Sequence, residues 1–316
     1  MKHGEPRINQ RHPLRTQDAV VISELRAASA EHKGDLIGPE IRVNPDAELA
    51  AAPPAPQGVR YQRDSVAGVP GWWCRPADAL LGARLLYLHG GGYVAGSATA
   101  ARHVVAQLAL LTRSESFVPD YRQAPENPFP AAVKDAVAVY DALAATAEKI
   151  VASGESAGGG LLLSLMAILA ERNDSQRQFV GAAAFSPWAD LTLKGETHLS
   201  RAEADPFVTR EVLQHFADLY LQGAEPTDPT ASPLYGPAPR NAPPLRIDVG
   251  DLEILLDDSV RYAKKFADAG LCVSLHIWEG MPHGFQAIGA LGAADAVLKE
   301  VGEFLQSCLL RTHVPE

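Results

Sequence analysis

Residues 149–169 read KIVASGESAGGGLLLSLMAIL, an apolar extended run that passes through one serine and a few glycines straight into an apolar helical run. With no room for a connector the turn must be sharp, and small neighbours such as Gly154 and Gly158 leave the space for it. A strand delivered directly into a helix is part of a βα repeat, so the surrounding chain should alternate strand and helix. It does. Helical spacing covers Thr99 to Arg113, Ala131 to Ala147, Ala157 to Arg172, Asp257 to Ala269 and Ala293 to Leu309. Short β-type runs lie between them at Glu115 to Val118, Lys149 to Ser153, Phe179 to Phe185, Leu245 to Val249 and Cys272 to Trp278. Ahead of these, Ala83 to Leu88 is strongly apolar, and Val59 to Arg63 with Trp72 to Arg75 suggests a hairpin turning at Val69-Pro70-Gly71. The predicted class is α/β, with about eight strands in a mostly parallel sheet and helices on both faces.

Two segments stand outside this alternation. Residues 17–33 have helical spacing through Val20, Val21, Leu25 and Ala28, followed by a linker with Pro45, Pro53, Pro54 and Pro56. Residues 187–223 carry an extra helix-like run from Phe207 to Leu221, an insertion expected outside the sheet, and the Pro-rich residues 226–244 read as a surface connector.

Ser156 sits on the sharp turn. A serine hydroxyl is a weak nucleophile, so it needs a base at its oxygen and a backbone that presents it clear of its neighbours. The helix that follows aims backbone N–H groups and its positive end at the same place. A phosphate-binding glycine loop, the competing reading, wants a Lys or GxGxxG spacing, and this turn has neither. Upstream, LLYLHGGGYVAGS sets His89-Gly90-Gly91-Gly92 directly after the apolar strand ending at Leu88. Glycines there let consecutive N–H groups converge on one oxygen.

Most of the ten histidines have an ordinary position. His3, His12, His32 and His313 lie near the ends, His198 and His215 in the insertion, His103 in a helix pattern and His89 in the glycine loop, while His276 alternates with Ser274 and Trp278 along a strand. His283, in WEGMPHGFQAI, follows the last predicted strand in a turn-rich loop, where a base for Ser156 would have to be. A carboxylate to orient its imidazole belongs after the strand Leu245 to Val249, in VGDLEILLDDS. Asp257 and Asp258 open a helix and suit caps and dipole partners, which leaves Asp251 and Glu253.

Bulk properties bound the partners. The 316-residue chain is 47% hydrophobic and 21% charged, as expected of a globular protein, and its net charge is −10. No run of Lys or Arg forms the stripe that a phosphate backbone requires, so nucleic acid is not an expected partner. Cys74, Cys272 and Cys308 are far apart and lack CxxC or Cys/His spacing, which predicts reduced thiols and no metal site. The polar, Pro-broken start MKHGEPRINQRHPLR has no apolar signal region, and apolar runs stay short of the ~18 residues a span needs, so a cytoplasmic protein without a membrane partner is expected.

HGGG, GESAGG, E-x-L-L-D-D-S, M-P-H-G-F and DYRQAPENPFPAA at 120–132 together resemble the bacterial hormone-sensitive-lipase family (family IV) of esterases, which have the α/β-hydrolase fold. The resemblance runs from about Tyr61 to the C-terminal end. It implies Ser156 as nucleophile, His283 as base, and Gly91, Gly92 and Ala157 as oxyanion N–H donors. Aligning on Leu255 and Asp257 places the family's usual acid at Glu253 in preference to Asp251. Glu155 and Gln123 depart from the commoner residues of their motifs, where the family more often has Asp or Thr and Leu. The family's cap implies residues 1–55 and 187–223 as cap elements over a catalytic domain of 56–316, with Tyr93, Trp188, Phe207, Leu252 and Phe285 as candidate pocket walls. The implied reaction is hydrolysis of short-to-medium acyl esters through an acyl-enzyme, with a small-molecule ester as partner and no metal or organic cofactor. As in related esterases, an edge strand at Cys272 to Trp278 could pair two subunits in a homodimer. The same triad would serve a lactonase, deacetylase or amidase. Ligand-binding receptors of this fold form the alternative of another class, and they lack the histidine that this chain has at His283.

Overall fold

The structure is a computed structural model that describes residues 10–42, 44–52, 54–172 and 179–311; residues 1–9 with His3, Pro53 of the linker and His313 lie outside the described residues. Its strands are β1 (Gln10–His12), β2 (Val59–Val66), β3 (Val69–Pro76), β4 (Ala83–Leu88), β5 (Glu115–Pro119), β6 (Lys149–Glu155), β7 (Gly181–Phe185), β8 (Leu245–Gly250) and β9 (Val273–Trp278). Its helices are α1 (Thr16–Ser29), α2 (Pro45–Ala51), α3 (Ala98–Thr112), α4 (Ala131–Ala144), α5 (Ser156–Glu171), α6 (Thr197–Ser200), α7 (Arg210–Leu221), α8 (Leu256–Asp268) and α9 (Gly292–Leu310).

The nine strands of the described residues join one sheet in the order β1-β9-β8-β7-β6-β4-β5-β3-β2, parallel except where β3 meets β5 and β2. The central strands are buried on both faces. In β4, Leu85 and Tyr87 enter one core while Leu86 and Leu88 enter the other, and in β6 Val151 opposes Ile150 and Ala152. Two-sided burial is why these strands read as unbroken apolar runs in the sequence. Side chains of α3 and α9 fill the first core, and those of α4, α5 and α8 the second.

Because β4 lies between β5 and β6, the chain leaves β4 on one side and returns on the other. A crevice opens at the carboxyl ends of strands where the winding reverses in this way. His89 to Gly92 follow β4 there, and Ser156 follows β6. The two meet closely, since a Cβ on Gly158 would fall 2.1 Å from the Leu88 carbonyl oxygen.

The structure departs from the sequence-based expectations at three places. The hairpin turns at Ala67-Gly68, both with positive φ, so Val69, Pro70 and Gly71 lie inside β3 opposite Val66, Ser65 and Asp64. A two-residue loop with left-handed residues matches the strand twist, which a turn at the proline would not. A ninth strand also exists: β1 pairs parallel with β9, setting Gln10 to His12 against His276 to Trp278, so the expected edge strand is not the outermost one. The His12 ring stacks on Trp278 with centroids 3.8 Å apart, and its Nε2 lies 2.9 Å from His276 Nδ1. Third, α1 buries Ile22 and Asp18 and leaves Val20 exposed. Asp18 accepts from the Gly292 and Ala293 amides at 2.7 and 3.1 Å, capping α9 from a distant segment.

Candidate active site

Ser156 is the first residue of α5 and has φ 53°, a left-handed conformation that a non-glycine residue adopts only under local constraint. A Cβ on Gly154 would fall 2.5 Å from the Gly158 carbonyl oxygen, so a side chain there would force the elbow open. His283, in the loop after β9, brings its Nε2 within 3.0 Å of Ser156 Oγ. Its Nδ1 lies 2.8 Å from Glu253 Oε2.

Glu253 is fully buried, and its other oxygen accepts from Ser186 Oγ and the Gly250 amide, each at 2.7 Å. Asp251 does not reach the imidazole; it accepts from the Gly280 amide at 2.7 Å and so ties the loops that follow β8 and β9. Nor do Asp257 and Asp258 cap their own helix. Asp258 accepts from the Ala189 and Asp190 amides at 2.9 Å, and Asp257 from Thr197 at 3.1 Å, so both hold the insertion to the body.

Burial alone would lower the His283 pKa, but the Glu253 hydrogen bond and charge, followed by the charges of Asp205 and Glu155, carry it above the ordinary histidine value. That arrangement favours a histidine able to take a proton and hold it beside a carboxylate.

Facing Ser156 is the loop after β4. Gly91 has φ 109° and a Cβ there would fall 2.1 Å from the Ala95 carbonyl oxygen. Gly92 has φ 62° and lies under the Phe216 ring. His89 stiffens the loop from beneath: its ring stacks on Tyr121 with centroids 4.2 Å apart, and Nδ1 lies 2.7 Å from the Gly90 carbonyl. Glu155, next to the serine, accepts from the Gly90 amide at 3.3 Å and from Gln286 Nε2, bridging the glycine loop and the His283 loop.

The cavity at this junction has a volume of about 420 Å³, and Gly91, Gly92, Ser156 and His283 line its floor. Ile37, Phe207, Val208, Val212, Leu213 and Phe216 supply apolar walls. Tyr93, Trp188, Leu252 and Phe285 do not line it. Tyr93 stacks on Tyr220, Trp188 is fully buried with Nε1 donating to the Asp190 carbonyl, Leu252 packs into the core shared with α9, and Phe285 is buried against Trp278. The core encloses Tyr93, Trp188 and Phe285 completely and Leu252 in part.

The profile of the alpha/beta hydrolase fold family matches residues 85–287, which hold the glycine loop, Ser156, Glu253 and His283. The chain belongs to that family. Among its solved relatives are a hormone-sensitive lipase from a metagenome library, with TM-score 0.85, 33% identity and 94% of this chain covering 100% of that one, and an esterase from the bacterial hormone-sensitive lipase family, with TM-score 0.82, 32% identity and 94% of this chain covering 99% of that one. An acetyl-hydrolase of Streptomyces hygroscopicus is 36% identical over 70% of this chain and 77% of its own length. Within the α/β-hydrolases the chain is thus a bacterial hormone-sensitive-lipase family member.

Several residues of this α/β-hydrolase site escaped the sequence reading. Ser186 follows β7 directly, and the carboxyl end of a strand beside the winding reversal is a signal that could have singled it out. Val212, Leu213 and Phe216 share one helical face of α7 with Ala217 and Tyr220, a periodicity that marks burial without saying against what. Asp205 has no motif to announce it. Elsewhere among the described residues, His12, His276 and Glu300 gather metal-ligand atoms within 4.8 Å at the far sheet edge, where Arg246 also bonds Glu300 at 2.8 Å. No helix among the described residues is long and apolar enough to cross a membrane.

Proposed function

We propose that this carboxylic ester hydrolase works by serine acyl transfer on short-to-medium acyl esters. The observation that carries the reading is the unbroken contact series from Glu253 through His283 to Ser156 Oγ, at 2.8 and 3.0 Å, ending in an apolar cavity beside a glycine loop. In the first half-reaction His283 Nε2 takes the Ser156 proton as Oγ attacks the ester carbonyl, and the electron pair moves to the carbonyl oxygen. The Gly91 and Gly92 amides with that of Ala157 hold this oxyanion; Ala157 is the second residue of α5, where helix N–H groups have no intrahelical acceptor. The tetrahedral adduct collapses, and His283 returns the proton to the leaving alcohol. Water then repeats the cycle on the acyl-enzyme, releasing acid and free Ser156.

The segment up to residue 55 and residues 187–223 act as the cap. Ile37 from the first and Phe207 to Phe216 from the second supply the cavity walls, and Arg26 and Lys33 hold the first to the Ala204 and Ala202 carbonyls of the second. The cavity size and the relative named as an acetyl-hydrolase support short acyl groups. Free thiols at Cys74, Cys272 and Cys308 support a reducing, cytoplasmic location. A homodimer built on this sheet edge would use β1, or the part of β9 from Val273 to Leu275 that β1 leaves unpaired.

A fluorophosphonate probe should label Ser156 in the wild type and leave Ser156→Ala unlabelled; absence of labelling in the wild type would sink the reading. p-Nitrophenyl esters from acetate to laurate, beside lactones and amides, then rank the substrate classes. A preference for lactone or amide over ester would move the assignment to the corresponding alternative.

A further inference from the structure

Asp205 lies in the insertion ahead of α7, far in sequence from Ser156, Glu253 and His283, and it is fully buried. Its two carboxylate oxygens serve two different parts of the molecule. Oδ1 accepts from the Phe207 and Val208 amides at 2.9 and 3.0 Å, and both of those residues line the cavity. Oδ2 accepts from the Ile254 amide at 3.1 Å, the peptide next to Glu253. One buried side chain thus fixes a substrate-facing wall and the backbone that carries the histidine's carboxylate partner.

We propose that Asp205 is a positioning residue of the reaction: it locks the insertion's pocket wall to the Glu253 segment and adds to the negative charge around His283. The proposal rests on the serine-hydrolase reading of the site. A carboxylate with no solvent exposure needs its lone pairs satisfied, and three backbone N–H donors do so only with Asp205 held in this one orientation. In that orientation it shares His283 with two other carboxylates, Glu253, which bonds the ring, and Glu155 from the elbow. Burial and the charge of Glu253 push the Asp205 carboxyl up, against the opposing pull of His283 and the two insertion amides. The imidazolium that forms during acyl transfer is therefore stabilised by a charge the insertion contributes. Wall and base are set by the same residue, so a substrate that displaces Phe207 or Val208 also disturbs Glu253.

The test uses the full chain carrying Asp205→Asn, which keeps an acceptor for the insertion amides and removes the charge, and Asp205→Ser, which shortens the side chain as well. Wild type and Ser156→Ala run alongside. For D205N the expected result is a protein that folds, with kcat lower on the order of 10- to 100-fold through misplacement of the triad, and with the acid limb of kcat/KM moved to lower pH because a negative charge near His283 is gone. In Asp205→Ser, KM for the longer acyl esters should rise in addition. An unmoved acid limb with unchanged kcat in a folded D205N overturns the proposal, as does failure of both variants to fold, which would make Asp205 a folding residue. Activity surviving in Ser156→Ala would instead overturn the underlying serine-hydrolase reading.

Discussion

His283 Nδ1 lies 2.8 Å from Oε2 of Glu253, a carboxylate whose other oxygen is already held by Ser186 and the Gly250 amide. With both oxygens engaged the carboxylate cannot rotate away, and the imidazole is fixed in the tautomer that leaves Nε2 free to accept from Ser156. Glu253→Ala should lower kcat by about 10³–10⁴-fold, in keeping with loss of the orienting carboxylate in a Ser-His-acid triad. Asp251→Ala should leave kcat near wild type, since it removes only the bond to the Gly280 amide. Initial rates on p-nitrophenyl acetate decide between them, and a collapse confined to the Asp251 variant would reverse the assignment.

The pH dependence follows from the raised His283 pKa. If His283 is the base, as proposed, it must be neutral to accept the serine proton, so kcat/KM should fall as pH drops through a value above that of an ordinary histidine. In Glu253→Gln the same limb should move to lower pH. For folding the sign is opposite: a raised folded-state pKa contributes stability that is fully present below the unfolded value and is lost as pH rises through the folded one. Melting temperature against pH, compared between wild type and His283→Ala, reads this contribution.

Gly91→Ala should be among the most damaging single-methyl changes. The added Cβ would sit 2.1 Å from the Ala95 carbonyl oxygen at φ 109°, so the loop must move and carry its N–H groups with it. Loss of one oxyanion donor corresponds to about 3 kcal/mol, or roughly 10²–10³-fold in kcat. A variant with wild-type kcat would remove the glycine loop from the oxyanion site.

Phe216 reaches from α7 to lie over Gly92, where a Cβ would meet its ring at 2.1 Å. Phe216→Ala should deepen the cavity and raise kcat/KM for octanoate relative to acetate esters, at some cost in stability from the lost packing. An unaltered chain-length profile would place the acyl limit elsewhere.

His276, on β9 beside the edge strand β1, gives a separate pH signature. Burial, with Arg246 and His12 beside it and against the pull of Asp248 and Glu300, pushes its pKa down to about 4. Its contribution is present above the ordinary histidine value and is lost as pH falls from there towards about 4. His276→Asn should flatten the melting temperature across that window; an unchanged slope would contradict a neutral buried imidazole.

What could be read from the chain alone was whatever depends on neighbours in sequence. The elbow around Ser156 needs glycines at fixed offsets, because a Cβ on Gly154 or Gly158 would fall within 2.5 Å of a backbone oxygen, and that requirement shows directly as a motif. The glycine loop, the position of His283 after the last strand and the two-sided burial of β4 and β6 were legible for the same reason. Glu253 became separable from Asp251 only through the resemblance, and its contacts with Ser186 and Gly250 come from the folded chain. Tertiary structure alone decided which aromatics entered the core and which faced the cavity, since the more polar Tyr93 ring is buried while Phe207 lines the cavity. It alone brought β1 to β9, because a strand of Gln10, Arg11 and His12 has no apolar alternation and is held by stacking on Trp278. It alone joined Asp205 to Ile254, 49 residues apart, through a hydrogen bond that leaves no periodic trace. Backbone strain and close approach act on adjacent positions and restrict residue type there; burial and long-range polar satisfaction are settled only when distant segments pack.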